Sequence, residues 1–401
     1  QGNTIIGYQA ASNGTANQGF NVVFGYRAGR NLPSARNTVL IGTNAGYSIN
    51  STGANFTVAV GDEAAYSLTT GEGNTALGYQ ALYTATELDK NTAIGYQALK
   101  ELSGSAGATS NTAVGYKAGA VMTTGNINTL VGSQAGGRIT TGVNNTLIGT
   151  QAGELITTSD SNIGLGAYTL VSNVLGERNI AIGYSTLYYQ SGPDADLNTA
   201  VGYYSGRRNI SGSNNAFFGA YAGLAATGSY NTFVGVTAGY GSDGAPYSSG
   251  QYNTALGYDA LNVFTTGDYN TTVGTSAGDV ITTGMQNTLI GGLTDPSAAG
   301  GTNQIVIGYN VTGHGDNIAV IGNASTTAWH PADDAGVDLG SASYRFANLY
   351  TADLQLSNED TPGNEVDGTT GNWTLQEGEN DIFIINRKTG KRYKFALEEI
   401  E

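Results

Sequence analysis

The chain has 401 residues, of which 61 are glycine, only 12% are charged, and the formal net charge is −15. This charge argues against a nucleic-acid partner, because phosphates would be repelled. The absence of cysteine excludes disulfides and thiolate metal sites. No stretch approaches the roughly 18 consecutive apolar residues of a membrane helix, so we expect no membrane insertion.

Residues 1–322 repeat one short motif, seen as NTALGYQAL at 74, NTAIGYQAL at 91 and NTAVGYKAG at 111. Aligned on the asparagine, the motif occurs 19 times, with spacings from 14 to 22 and most often 17. The aligned positions are Asn3, Asn21, Asn37, Asn55, Asn74, Asn91, Asn111, Asn128, Asn145, Asn162, Asn179, Asn198, Asn215, Asn231, Asn253, Asn270, Asn287, Asn303 and Asn317. A short fixed period is typical of a solenoid.

The repeat is too short for helical units, which need about 30 residues or more. Its β-branched residues and its Gly and Asn turn signals favour two short strands and two turns per coil. We therefore predict an all-β fold, a parallel β-roll or β-helix solenoid of about 19 coils. Glycine suits a left-handed backbone or a close approach, and stacked asparagines can bond from coil to coil. We assign these structural roles to Asn74, Gly78, Asn91, Gly95, Asn111, Gly115, Asn128, Gly132, Asn145 and Gly149.

Such a solenoid is thin. At ~4.8 Å per coil, it would be roughly 90 Å long. Alternating Ala, Ile, Val and Leu residues can fill the interior, and the Ala and Leu after the tyrosine position predict a second apolar stripe that needs covering. We therefore predict a homotrimer around the long axis.

The repeats also resemble known families. The unit NTAIGYQAL and the shorter copies NQIVIG (303–308) and NIAVIG (317–322) resemble the head repeats of YadA-type trimeric adhesins. Longer units with NTAIGY and TTG are similar to those of bacteriophage tail-fibre proteins. The resemblance covers residues 1–322 and implies a left-handed parallel β-roll shared by three chains. The sequence departs from the adhesins in its repeat interval, mostly 17 rather than about 14. We also expect neither their coiled-coil stalk nor their membrane-barrel anchor, and both differences weaken the bacterial-adhesin interpretation.

Residues 323–401 do not follow the repeat. We expect a transition or neck module at 323–360, where DLGSASYRFANLYTADL resembles a module near the C-termini of phage tail fibres. At 361–401 we expect a cap or tip, because DIFIINRKTGKRYKFAL predicts a β-hairpin with Gly390 at the turn.

The predicted hairpin carries a cluster of basic residues, for which three roles are open. They can meet an anionic receptor on a cell surface, pair with nearby acids, or solubilise the hairpin. The basic residues are Arg387, Lys388, Lys391, Arg392 and Lys394, and the acids are Glu377, Glu379, Glu398, Glu399 and Glu401.

Other candidate sites are weaker. His314 and His330 lack a metal-ligand pattern, and we expect ordinary loop residues and no metal site. Asp333, Asp334 and Asp338 can be a calcium site or, as we favour, a solvated acidic loop. Nine tyrosines follow the repeat glycine and predict a packing ladder in preference to a sugar-stacking surface. They are Tyr8, Tyr26, Tyr79, Tyr96, Tyr116, Tyr184, Tyr203, Tyr258 and Tyr309.

No catalytic residue and no cofactor is predicted, since neither a nucleophile turn nor a phosphate loop is present. We expect a structural and receptor-binding protein of the virion, the distal part of a phage tail fibre. Its partners would be other tail proteins and a glycan or protein on the host surface. The alternatives are a bacterial surface adhesin or extracellular filament and, with least support, a polysaccharide depolymerase.

Overall fold

The computed structural model describes residues 2–13, 19–32, 34–50, 52–103, 108–330, 338–359, 364 and 366–395. The chain divides into two compact units, Gln1–Thr326, here the solenoid unit, and Thr327–Glu401, here the C-terminal unit. The described residues form 23 β-strands and one 3-10 turn, Thr52–Ala54, without any α-helix. The predicted all-β class is confirmed.

The solenoid unit contains nineteen three-residue strands that pair in parallel, each with the next one in the chain. In the register of two central strands, Ala93 lies opposite Ala113 and Ile94 lies opposite Val114. The predicted parallel solenoid is therefore confirmed, and we number each coil by its strand. The strands are β1 Thr4–Ile6, β2 Val22–Phe24, β3 Val39–Ile41, β4 Val58–Val60, β5 Thr75–Leu77, β6 Thr92–Ile94, β7 Thr112–Val114, β8 Thr129–Val131, β9 Thr146–Ile148, β10 Ile163–Leu165, β11 Ile180–Ile182, β12 Thr199–Val201, β13 Ala216–Phe218, β14 Thr232–Val234, β15 Thr254–Leu256, β16 Thr271–Val273, β17 Thr288–Ile290, β18 Ile305–Ile307 and β19 Ala319–Ile321.

Each described coil has one strand, so the prediction of two strands per coil is wrong. Beyond the strand, alternate residues take positive φ, as at Gln97 (56°) and Leu99 (49°), and this curls the chain around the core. The backbone still bonds between coils: the Gln97 amide donates to Tyr79 O at 2.9 Å and the Leu99 amide to Ala118 O at 3.0 Å. Inter-coil hydrogen bonding is thus retained where strand geometry is lost.

A ladder of buried asparagines precedes the strands. The Oδ1 of Asn111 accepts from the backbone amide of Asn128 at 3.0 Å and from its Nδ2 at 3.2 Å. The same Nδ2 donates to Gly142 O at 2.9 Å. Each amide therefore joins three coils. Four aligned asparagines, Asn37, Asn55, Asn303 and Asn317, do not belong to this ladder, so their predicted alignment is wrong. The residues that directly precede strands β3, β4, β18 and β19 are Thr38, Thr57, Gln304 and Ile318.

A ladder of glycines follows the strands. Gly78, Gly95, Gly115, Gly132 and Gly149 have φ between 134° and 142°, a region that side chains disfavour. A Cβ added to any of them would overlap the carbonyl group of the glycine in the next coil. Close stacking of backbone on backbone thus requires glycine at this corner.

The core is filled by large and small residues in alternation. In several coils the middle residue of the strand is small, as Ala93 is, and the residue six positions later is large and buried, as Leu99 is. In several others the middle residue is large, as Leu147 is, and the residue six positions later is glycine; a Cβ on Gly153 would overlap the Leu147 side chain. The same compensation keeps the interior close-packed at several coils.

The predicted second apolar stripe is wrong, since Ala98 and Leu99, the Ala and Leu after the tyrosine, are fully buried inside their own coil. One set of apolar residues that stays partly outside the core is formed by the third residues of the strands. They are half-buried or exposed in every coil. We call them the apolar column: Ile6, Phe24, Ile41, Val60, Leu77, Ile94, Val114, Val131, Ile148, Leu165, Ile182, Val201, Phe218, Val234, Leu256, Val273, Ile290, Ile307 and Ile321.

The C-terminal unit contains an antiparallel sheet of four strands in chain order. They are β20 Asp353–Ser357, β21 Asn372–Glu377, β22 Ile382–Asn386 and β23 Arg392–Lys394. The predicted hairpin is confirmed, because β22 and β23 pair around a turn that contains Gly390. Strand β20 extends the same sheet from within the region predicted as a neck.

Candidate binding sites

The turn of the β22–β23 hairpin presents two of the predicted basic residues beside the sheet. Arg387 Nε donates to the hydroxyl of buried Thr374 at 2.7 Å. Lys388 Nζ donates to Thr370 O at 3.0 Å and lies 3.6 Å from a Glu359 carboxylate oxygen. These contacts hold Arg387 against β21 and Lys388 against the segment that precedes it.

The remaining basic residues differ in their partners. Lys394 forms an ion pair with Asp381 at 2.7 Å. Lys391 and Arg392 are exposed and form no ion pair with a described residue. The acids that pair with the cluster, Glu359 and Asp381, are not those predicted, and Glu398, Glu399 and Glu401 lie outside the described residues.

A cavity of about 660 Å³ lies against β21 and the hairpin turn. Lys388 lines it, together with Trp373 and polar residues of the segment before β21, whereas the other four predicted basic residues do not. Sequence reasoning missed this site because the segment 358–371 reads as a polar linker. The feature of the sequence that could have indicated this cavity is a tryptophan directly after an Asn- and Thr-rich stretch. The polar residues lining it are Gln355, Ser357, Asn358, Asn364, Asp367, Thr369, Thr370 and Asn386.

The predicted tyrosines stack on one another where consecutive coils carry them. The Tyr79 and Tyr96 rings lie 5.2 Å apart and the Tyr96 and Tyr116 rings 5.5 Å apart, with interplanar angles of 28° and 17°. Each contact takes up one face of both rings, so the middle ring, Tyr96, has both of its faces covered. A sugar stacks on a ring face, so this geometry favours the packing ladder.

Two further tyrosine columns escaped the sequence analysis. Tyr47, Tyr66 and Tyr83 stack at 5.0 and 5.2 Å, and Tyr230, Tyr252 and Tyr269 stack at 4.8 Å with rings parallel to within 3°. Their signal was a tyrosine that recurs once per coil, away from the repeat glycine.

The histidine and aspartate candidates form no visible site. His314 and His330 are exposed and belong to different units, and Asp338 is exposed. Asp333 and Asp334 lie outside the described residues. Within the described ranges, no group of three His, Cys, Asp or Glu side chains could hold a metal ion.

One carboxyl group in the solenoid unit has an unusual environment. The pKa of Asp295 is raised to about 6, mainly by burial and secondarily by the nearby Asp279 carboxylate, while a hydrogen bond from the Val280 backbone opposes both. Its Oδ1 is buried without a hydrogen-bond partner among the described residues. The ionised form is therefore disfavoured in the folded chain.

Replacing Asp295 with Asn is expected to stabilise the solenoid at neutral pH. Between pH ~4, where an unfolded aspartate titrates, and pH ~6, the folded chain holds more protons, so wild-type stability falls as pH rises. Because the side chain is only about half buried, we expect a gain of about 1–2 kcal/mol at pH 7.5, and almost none at pH 4. Melting temperatures at both pH values measure it. Asp279→Asn should give a smaller gain, and an equal gain at both pH values would contradict the explanation.

The described residues include no helix long and apolar enough to cross a membrane. Comparison with protein-family models gave no match, and comparison with curated proteins gave none either.

Proposed function

We propose that this chain is the distal part of a bacteriophage tail fibre, in which the solenoid unit supplies length and the protein binds a receptor on the host surface. The observation that carries the proposal is the apolar column, which continues through all nineteen strands. A fibre made of three chains would cover it along its whole length. The C-terminal unit would add the basic hairpin and its neighbouring cavity as a receptor-binding region.

The free energy available from covering the apolar column is of the same size as the cost of association. Complete burial of a Leu or Ile side chain is worth about 1.5–3 kcal/mol, so covering a half-exposed one contributes roughly 0.5–1 kcal/mol. Nine of the nineteen members are exposed to about this extent and the other ten are more deeply buried, so the whole column contributes roughly 5–15 kcal/mol, against an association cost of about 4–15 kcal/mol. The C-terminal unit also exposes large side chains, at Trp329, Tyr344, Phe346 and Tyr350, which suits burial between chains.

Lysines on the apolar column are expected to abolish the homotrimer. The triple variant Leu77→Lys, Ile148→Lys and Leu256→Lys places charges where the proposed chains meet, because these side chains are 40–47% exposed. Light scattering should give three times the chain mass for the wild type and a single chain mass for the variant.

A matched control keeps this result specific. The variant Val121→Lys, Val263→Lys and Val280→Lys changes residues of similar exposure, 40–43%, on another part of the coil. We expect it to keep the trimeric mass. A wild-type protein that is folded and has a single chain mass would remove the homotrimer.

Immunogold electron microscopy tests the fibre proposal itself. An antibody against residues 338–395 is applied to the culture that produces the protein. Gold on virion tails supports the proposal. Gold on cell envelopes, with bare virions, would instead establish a surface adhesin or filament.

A further inference from the structure

The longest coil carries a surface loop. In coil 14, Asn231 and Asn253 lie 22 positions apart, whereas Asn253 and Asn270 of the next coil lie 17 apart. The chain leaves the coil at Gly241 and returns at Ser248, so the loop is 242–247. The coil continues beneath the loop, because the Ser248 amide donates to the backbone of the preceding coil at 3.0 Å. Such an insertion leaves the solenoid intact and is free to carry function.

This loop reaches back over two coils to Arg208 of coil 12. Arg208 Nη1 pairs with Asp243 Oδ1 at 2.5 Å and also donates to the Asp243 backbone oxygen. Its guanidinium carbon lies 5.3 Å from the centre of the Tyr247 ring. The ion pair and the ring contact fix the loop beside the coils.

A cavity of about 500 Å³ lies between the loop and the coils. This volume is in the range of small-molecule sites. None of its lining residues belongs to a strand or to the apolar column, so contacts made by that column do not involve them. The lining residues are Ser172, Tyr189, Ser191, Arg208, Ile210 and Tyr247.

Tyr189, the lining tyrosine that lies outside the loop, is held in place before any ligand binds. The Tyr189 ring contacts the Tyr188 ring edge-on, with centroids 4.6 Å apart. The guanidinium of Arg207 lies 5.3 Å from the Tyr189 ring centre and 4.5 Å from that of Tyr204. Tyr189 still has an exposed side that faces the cavity. Such prior fixing lowers the entropy cost of binding.

We propose that this cavity binds a neutral saccharide. Tyr189 and Tyr247 offer aromatic surface for the C–H face of a sugar ring. Of the lining residues, Arg208 donates hydrogen bonds, and Ser172 and Ser191 can donate and accept them, which suits the hydroxyl groups of a sugar. Because Asp243 neutralises Arg208, the pair offers little attraction to an acidic sugar. The inference deepens the proposed function, since it supposes that the receptor is a glycan.

Saccharide titration of the purified, full-length protein tests this proposal. Saturation-transfer NMR and calorimetry would use neutral oligosaccharides ending in hexose or N-acetylhexosamine, with uronic-acid-ended oligosaccharides in parallel. We expect neutral binding that Tyr247→Ala weakens at least tenfold, with an unchanged melting temperature. The control Tyr309→Ala, at an exposed tyrosine of coil 18, should change affinity less than twofold.

Three results would overturn the proposal: no neutral oligosaccharide binds, acidic ones bind more tightly, or Tyr247→Ala leaves the affinity unchanged. These outcomes are separate from the fibre proposal. Gold on virion tails without saccharide binding would remove the site and keep the fibre. Neutral saccharide binding with gold on cell envelopes would keep the site and remove the fibre.

Discussion

The substitution Gly291→Ala is expected to unfold the coils around β17, whereas Gly292→Ala, one residue later, should have almost no effect. Gly291 has φ of 126°, and a Cβ there would overlap the carbonyl oxygen of Gly308 in the next coil. A Cβ on Gly292 would make only ordinary contacts, the nearest with the Tyr309 ring at 3.4 Å, and the φ of Gly292 is not positive. Neighbouring residues in one chain thus provide a test and its control.

Two free-energy costs, which only Gly291→Ala incurs, determine how much the two variants differ in stability. A side chain at strongly positive φ costs about 1–2 kcal/mol or more, and the overlap is with backbone, which moves only if the coil spacing changes. We expect Gly291→Ala to lower the melting temperature by more than ~10 °C and Gly292→Ala by less than ~2 °C. Limited proteolysis should give new cuts near coil 17 in Gly291→Ala alone. Equal melting temperatures would contradict the backbone-stacking role of this glycine ladder.

The repeat architecture could be predicted because its requirements are local. A glycine where only glycine fits and an amide that bonds to its own counterpart recur with every coil, so they appear as a period in the sequence. The hairpin was predictable for the same reason, since alternating residues flank Gly390 over a short span.

The wrong predictions about the solenoid concern features that a residue motif does not encode. The alternation of φ after the strand has no fixed residue signature: Gln97 and Leu99 adopt it as readily as glycine does elsewhere. The burial of Leu99 depends on the small Ala93 six residues earlier, a volume relation that a motif search does not register. An asparagine beside the ladder, such as Asn303, looks in sequence like one within it.

The candidate sites were predictable only in part. The basic hairpin is contiguous in sequence, and Lys388 does line a cavity. The pairing of Arg208 with Asp243 joins residues 35 positions apart, through a loop whose path depends on stacking of the intervening coils. The only sequence signal was the unusually long interval between Asn231 and Asn253.

The substitution Asn145→Ala is expected to cost about 3–5 kcal/mol, because it breaks the amide ladder at its centre. In the folded chain, Asn145 Oδ1 accepts from the Asn162 amide at 2.9 Å, and its Nδ2 donates to Ser159 O at 2.9 Å. Alanine leaves this buried amide and this carbonyl without those partners, each at a cost of about 1–3 kcal/mol, and adds a small cavity. Thermal unfolding followed by circular dichroism measures the loss.

The variant Asn145→Asp separates hydrogen bonding from shape. One carboxyl oxygen can still accept from Asn162, but the other replaces Nδ2 and faces Ser159 O and, at 3.2 Å, Asn128 Oδ1. Only the protonated acid can donate there, so folding should raise the pKa of this carboxyl. The variant should therefore be most stable near pH 4 and lose stability as pH rises toward neutrality.

An exposed amide pair provides the control. Asn31 Oδ1 accepts from Asn13 Nδ2 at 2.8 Å at the surface, where water replaces the bond. Asn31→Ala should therefore cost less than about 1 kcal/mol. If it destabilises the protein as much as Asn145→Ala does, burial is not what makes the ladder stabilising. If Asn145→Asp is equally stable at pH 4 and pH 7, the side chain does not donate into the next coil, and the stability of the stack must come from its strands and core alone.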